Sequence, residues 1–508
     1  MPDTSTIAPY VVRLSGGLIL NKDTFSLPPG AALELQNFEP DIAGGYRRIN
    51  GFTKFNTNIV PQTSASTEKI LGVAIYKTKV VASRGEKVFT GTAGSGSWTV
   101  IDTGRSSAGR YDFAVFNFDG TEKIVWCDGA NRASVYNDSS VTDISASPAP
   151  SDPSLCAVFK SHLFLSGASA NPSEIFFSAP FDTTDFTPAN GGGSFRTESP
   201  VVKMRVFRDR LIIFCTDEIY QLAGESAANF QLAPITRKIG CLDGFSVQEI
   251  GGDLIFLAPD GLRTVAGTEK IGDTELGTVS KQIQTRLDGI SLERVSSLII
   301  REKSQYRLFF PTDAIATTSA AGIIGVIKAG EQGGVGFEYA DLLGIKPTYA
   351  TSGFISNVET VLHGGYDHYV HKQESGNTFD GTAIKAIYRS PDHTMGDPGL
   401  RKSMQRVIWN YTNEGVVDTT FRLLYDFDAA DVPQPAPYSL SIGGAPAIYG
   451  LSQATYGSVV YGASGAPLAR QTVEGGGFVV GIRLEDIAGV DPISVKGYQI
   501  EFTPGGRR

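Results

Sequence analysis

The sequence predicts an all-β protein: a β-propeller of six or seven blades with an additional β-sandwich-like platform domain. Three observations carry that prediction. The first is texture: 58 Gly, 29 Phe and 19 Tyr stand against 4 Met and 3 Trp, and only 19% of residues are charged. Gly-rich, aromatic-rich, turn-dense sequence without long helical periodicity belongs to β folds. The second is repetition: an apolar run behind a polar lead-in recurs at Val80, Ile124, Leu163, Leu211, Leu254, Leu308 and Val361, at spacings of 44, 39, 48, 43, 54 and 53 residues. Four short strands with tight loops occupy roughly 40–45 residues, the length of a propeller blade. The third is a change of texture after about Thr382, where Pro- and Gly-broken loops separate longer strands.

The clearest copy of the repeat is FRDRLIIFCTDEIYQLAG, Phe207 to Gly224. An apolar run through Leu211, Ile212, Ile213 and Phe214 meets an acidic turn at Asp217 and Glu218, and a second run holds Ile219, Tyr220 and Leu222. IGGDLIFLAPDGLRTVAG, from Ile250, and FKSHLFLSG followed by SEIFFSA, from Phe159, repeat the order of strand, turn and strand. Closing such units into a ring also removes the unpaired edges that an open sheet presents to other chains. A β-sandwich or a β-helix is the structural alternative, and the β-helix is disfavoured because its rungs repeat at about half this period.

In chain order, 1–13 reads as a flexible arm and 14–58 as a β segment that packs with the C-terminal domain. Within the latter, Pro28-Pro29-Gly30 precedes a single helical turn over 31–36, and Gly44-Gly45 leads into a strand whose Arg47 and Arg48 are expected on a solvated edge. The propeller spans 59–382. Near its end Val279, Ile283 and Leu287 share one helical face, a packing stripe, and Asp313–Gly336 is weakly patterned. The platform spans 383–508. Its strands include Val407, Ile408 and Trp409, then Phe421, Leu423 and Tyr425 alternating with Thr420, Arg422 and Leu424. Three Tyr-Gly pairs follow, at Tyr449-Gly450, Tyr456-Gly457 and Tyr461-Gly462.

The charge balance, 44 Lys and Arg against 53 Asp and Glu with a net charge of −9, opposes a protein that grips nucleic acid by neutralising phosphates. Cys127, Cys156, Cys215 and Cys241 lie in apolar runs without CxxC spacing, as buried reduced thiols do. The N-terminus lacks a basic region ahead of an apolar core, so no signal peptide is expected. No apolar run approaches the ~20 residues of a membrane span.

Catalytic constellations do not emerge. His363, His368 and His371 cluster around Asp367 in HGGYDHYVHK, but strand alternation sends His368 to the opposite face from the other two. A hairpin turn at Gly364-Gly365 would still gather them for zinc, but ordinary strand packing is the reading the residues favour. His162 and His393 have no companions. Gly191-Gly192-Gly193 and Gly251-Gly252 lack the Lys-Ser or Lys-Thr of a phosphate loop. Asp119, Asp128, Asp217 and Asp260 sit where turns use Asx hydrogen bonds. Trp98 in GSGSWTV is similar to the aromatic of a sialidase-type repeat, without its Asp. The expectation is therefore no enzyme, no catalytic, cofactor-binding or metal residues, and no cofactor.

The order of segments says more. GGLILNKDTFSLPPGAALELQNFEPDIAGGYRRINGF, then NPSEIFFSAPFDTTDFT, VVKMRVFRDRLIIFCTDEIYQLAG and APDGLRTVAG resemble the nozzle, or tail tubular B-type, proteins of short-tailed bacteriophages. YRSPDHTMGDPGLRKSMQRV and GYQIEFTPGGRR continue the resemblance over nearly the whole chain. It implies a structural virion protein: a homohexameric ring at the end of the tail, made in the host cytoplasm. Such a ring would enclose and gate the DNA-ejection channel and contact a tail adaptor and tail fibres. Phage DNA and internal virion proteins would pass through without sequence-specific binding. An acidic wall suits a channel along which a polyanion slides. The alternative from the residues is a glycan-binding or glycan-hydrolysing propeller acting on host polysaccharide, which would use paired carboxylates among the turn aspartates.

Overall fold

In the computed structural model the described residues are 7–61, 68–266, 278–292, 294–310, 321–329, 335–414, 417–442, 468–487 and 491–505. The chain is all-β, with six blades in a propeller arrangement and additional sheets. The repeat positions each fall on the second strand of a sheet, between two hydrogen-bonded neighbours, where a continuous apolar run is buried on both faces. Four blades are four-stranded antiparallel meanders that begin at Ile70–Tyr76, Asp112–Phe118, Leu155–Phe159 and Val201–Phe207. The fifth is the three-stranded sheet Gln248–Ile250, Asp253–Ala258 and Gly261–Thr264. The sixth begins Pro347–Ile355, Val358–Gly365, Val370–Gln373, and its next strand, Phe52–Lys54, comes from the other side of the propeller in sequence.

Between the fifth and sixth blades a further meander runs Ser296–Ile300, Gln305–Phe309, Ala321–Ala329 and Val335–Leu343. Its first strand lies against those of both neighbouring blades, and Pro347–Ile355 lies against Ile70–Tyr76 of the first blade, which closes the ring. This meander does not stop at four strands. Glu34–Gln36 pairs in parallel with Val335–Leu343 and antiparallel with Ala386–Arg389. Val480–Asp486, Val417–Tyr425 and Tyr438–Ile442 complete a nine-stranded sheet. A seven-stranded sheet centred on Lys402–Asn413 and Ile493–Pro504 packs on it, with Trp409 of one sheet meeting Phe421 of the other at 5.4 Å between ring centres. One hydrophobic core runs through both sheets and into the meander, from Val12 to Phe502.

In the hairpin Arg210–Cys215 and Ile219–Ala223, Leu211, Ile213 and Phe214 are fully buried, and Leu211 pairs with Leu222. Burying each such side chain contributes about 2–3 kcal/mol. Gly224 ends the unit with φ +123°, where a Cβ would stand 2.6 Å from the Asn229 carbonyl oxygen. That is a position only glycine fills without strain. Asp217 is exposed, but Glu218 is buried and accepts a 2.6 Å hydrogen bond from the Tyr220 hydroxyl. Ile283 and Leu287 of the short helical stretch are buried in the common core.

Several expectations are corrected. Residues 8–13, read as part of a loose arm, form a strand that pairs along Ile493–Pro504 from Ala8↔Phe502 to Arg13↔Gly497, because its backbone completes that edge. The helical turn at 31–36 is absent: Glu34–Gln36 is a strand, since pairing on both sides outweighs the helix propensity of Ala, Leu, Glu and Gln. Residues 52–54 join the sixth blade rather than the C-terminal sheets, and the nine-stranded sheet crosses the boundary at 382/383. Arg48 is not on a solvated edge. It is fully buried, 3.3 Å from Asp486, while Arg47 bonds Glu39 and Glu414. Of Asp313–Gly336, Ala321–Ala329 is a regular strand. The three Tyr-Gly pairs lie outside the described residues. Among the described residues no helix is long and apolar enough to cross a membrane.

Candidate functional site at the propeller axis

Each blade's first strand faces the axis, so polar residues at alternate positions of those strands meet there. Val201–Phe207 supplies Lys203 and Arg205, the start of Asp112–Phe118 supplies Asp112, and Pro347–Ile355 supplies Tyr349 and Thr351. A short turn of helix, Gly244–Ser246, inserts Phe245 beside the fifth blade; Asp243 caps it by accepting from the Phe245 N–H at 2.7 Å. Together these groups enclose a cavity of about 120 Å³.

The electrostatics are arranged in pairs. Lys203 Nζ donates to Asp112 Oδ1 at 2.6 Å, both side chains being buried. The other oxygen of Asp112 accepts from the Cys156 N–H at 3.2 Å. Arg110 reaches Asp243 at 2.8 Å and stacks over the Phe245 ring at 3.6 Å. Lys203 stands 5.0 Å from the same ring, which is therefore flanked by two cations. Phe245 and Phe113 both meet Tyr349 edge-on, at 5.6 and 6.1 Å. Burial pushes the Tyr349 hydroxyl well above its ordinary value, so it stays protonated as a donor. Arg301 pairs with Glu359 at 3.5 Å. Arg205 is half-buried and, among the described residues, has no carboxylate partner.

The histidines lie elsewhere. The turn of their hairpin falls at 366–369, past Gly364-Gly365, so His363 sits opposite His371 and the rings stack at 4.9 Å. His371 Nε2 lies 2.8 Å from Asp367, and His368 sits in the turn with φ +72°. Burial, then the neighbouring His371 and Arg307, hold His363 well below its ordinary value, so it is neutral. Gln373 links it to a buried charged joint: the amide lies 3.3 Å from His363 Nδ1, and its oxygen accepts from Arg307 at 2.9 Å. Arg307 also pairs with Glu39 and Glu374, and Lys303 with the same two carboxylates. Burial would raise the Glu374 carboxyl, but Arg307 and Lys303 outweigh it and hold it at about 2. This joint ties Phe38–Pro40, Gln305–Phe309 and Val370–Gln373 together, and every carboxylate in it is neutralised. Among the described residues no group of three His, Cys, Asp or Glu is placed to hold a metal.

His162 directs Nδ1–H at the Ser178 carbonyl, and His393 Nε2 lies 2.7 Å from the Tyr498 hydroxyl. Asp128 makes the expected Asx turn, accepting from the Ala130 and Asn131 N–H groups, and Asp260 pairs with Arg263. Asp119 bonds Lys123 in its turn. Trp98 is buried and donates to the Asn58 carbonyl at 3.0 Å. All four cysteines are buried and unpaired, and burial pushes Cys215 and Cys241 up to about 12. The axial residues were not singled out by sequence. Their signal was the charged alternation in VVKMRVF, but alternation alone does not say which face looks down an axis.

No family model matches the chain, and no curated protein does. Solved structures are similar at low identity. The computationally designed Ika8 protein is 10% identical with a TM-score of 0.35, over 63% of this chain and 99% of its own. The extracellular domain of a hybrid two-component system from B. thetaiotaomicron is 10% identical with a TM-score of 0.40, over 72% of this chain and 44% of its own. An ancestral GH74 enzyme is 9% identical with a TM-score of 0.37, over 67% of this chain and 50% of its own.

Proposed function

We propose that the chain is the nozzle subunit of a short-tailed phage tail, a structural virion protein rather than an enzyme. The observation that carries this is the order of tail-nozzle-like segments along nearly the whole chain, from GGLILNKDTFSLPPG to GYQIEFTPGGRR. The architecture supports it. The N-terminal strand Ala8–Arg13 and the C-terminal strand Ile493–Pro504 are paired, so both ends of the chain meet in one platform, whose larger sheet continues into the meander 296–343. A platform of this kind forms a ring when one patch of each copy meets a different patch of the next, and the rotation closes. In this reading six copies enclose the ejection channel, the propellers stand outside, and an adaptor ring and fibres bind the flanks. DNA and internal virion proteins pass along an acidic bore.

Mass photometry of the purified chain, alone and with a tail adaptor, followed by electron microscopy of the particles, tests the proposal. Closed hexameric rings with a continuous axial channel are expected. A strict monomer in both preparations overturns it.

A further inference from the structure

We propose that the propeller axis is a binding site for a small carboxylate ligand, clamped by Arg205. The inference concerns the interior of one propeller and does not rest on ring formation.

The first reason is the imbalance of charge. Lys203 is matched by Asp112, Arg110 by Asp243 and Arg301 by Glu359, each through a direct ion pair. Arg205 lines the same cavity without a carboxylate partner among the described residues, in a chain whose net charge is −9. A guanidinium drawn half out of water in a narrow funnel focuses positive potential there, and that potential favours an anion. Its planar fork matches a carboxylate with two parallel hydrogen bonds.

The second reason is shape. The cavity of about 120 Å³ is comparable with engineered cavities of about 150 Å³ that take one benzene. That suits a carboxylate with a few carbons, free or at the end of a larger acidic molecule. Phe113, Phe245 and Thr351 line the cavity beside the guanidinium. The Tyr349 hydroxyl, kept protonated by burial, is a second donor for the carboxylate. The charge of Asp112 is offset by the Lys203 ammonium 2.6 Å away, which weakens its repulsion of an anion.

The test is titration calorimetry on the full-length protein with sodium acetate, sodium glucuronate and glucose, at ionic strength matched with sodium chloride. Wild type, Arg205→Ala and Arg205→Lys are compared after their melting temperatures are shown to agree. Saturable binding of acetate or glucuronate, none of glucose, a loss of at least tenfold in Arg205→Ala and a smaller loss in Arg205→Lys are expected. Equal affinity for acetate and glucuronate identifies a free small carboxylate, and much tighter glucuronate binding identifies an acidic sugar; both support the site. Heats no larger than those of sodium chloride, or unchanged affinity in Arg205→Ala, overturn it. Because the assay reads single subunits, its failure leaves ring formation untouched, and the absence of rings leaves the axial site untouched.

Discussion

The fourth blade and the nine-stranded sheet are built from similar strands by opposite means. In the blade, Val201–Phe207, Arg210–Cys215, Ile219–Ala223 and Gln231–Thr236 follow one another in sequence and pair in that order. In the large sheet, Glu34–Gln36 pairs with strands holding Asp341 and Arg389, roughly 300–350 residues away in sequence. The blade is held by apolar burial, as in Ile213 and Phe214. The seams of the large sheet and its neighbours are held in part by buried ion pairs, Arg48 with Asp486 and Arg307 with Glu39 and Glu374. Local pairing needs only a hydrophobic pattern. Long-range pairing must also be specified against wrong registers, and a slip at these seams would part Arg48 from Asp486 and Arg307 from Glu39 and Glu374.

That contrast can be broken most forcefully in the blade. Ile213→Asp places a charge in a fully buried apolar site, and a loss of about 5 kcal/mol or more is expected, with no soluble folded protein on expression. At the seam, Arg307→Ala leaves Glu39 and Glu374 as buried carboxylates short of a cation. A loss of about 2–3 kcal/mol in urea denaturation is expected, because Lys303 still bridges the two carboxylates. A loss under 1 kcal/mol would mean that the seam is not specified by charge.

A third prediction concerns pH. Burial holds His393 at about 4, below its ordinary 6.5, so the unfolded chain binds a proton more readily than the folded one between those values. The stability it confers is present above pH 6.5 and is lost as pH falls from 6.5 towards 4. The shift corresponds to about 3 kcal/mol, and His393→Gln should flatten that part of the curve. Glu374 acts lower: its depressed carboxyl, at about 2, contributes stability above about pH 4.5 that is lost as pH falls through 2. Smaller again is removal of residues 1–13, which uncovers the edge of Ile493–Pro504. A loss of about 1–3 kcal/mol and a greater tendency to aggregate are expected by denaturation and light scattering. Asp217→Asn, on the exposed turn of the fourth blade, should stay within about 0.5 kcal/mol.

Legibility followed the same divide. The second strand of every blade could be placed from sequence because it is buried on both faces, and Leu211 to Phe214 shows why: four apolar residues in a row carry their own signal. Glu34–Gln36 could not, because its partners are remote and its own residues favour a helix. Arg48 looked like surface for a related reason: the partner that makes its burial tolerable, Asp486, lies at the other end of the chain. The axial site was illegible for a geometric reason. Lys203 and Arg205 alternate plainly, but only ring closure brings Asp112, Phe245 and Tyr349 around them.

The strand Phe52–Lys54 has a consequence for synthesis. It emerges from the ribosome ahead of the propeller, yet its antiparallel partner, Val370–Gln373, comes roughly 320 residues later. At a translation rate of about 5–20 residues per second it waits about 16–64 s with an open edge. Stalling the ribosome before residue 370 should therefore leave the segment around Phe52 open to protease, and release of the full chain should protect it.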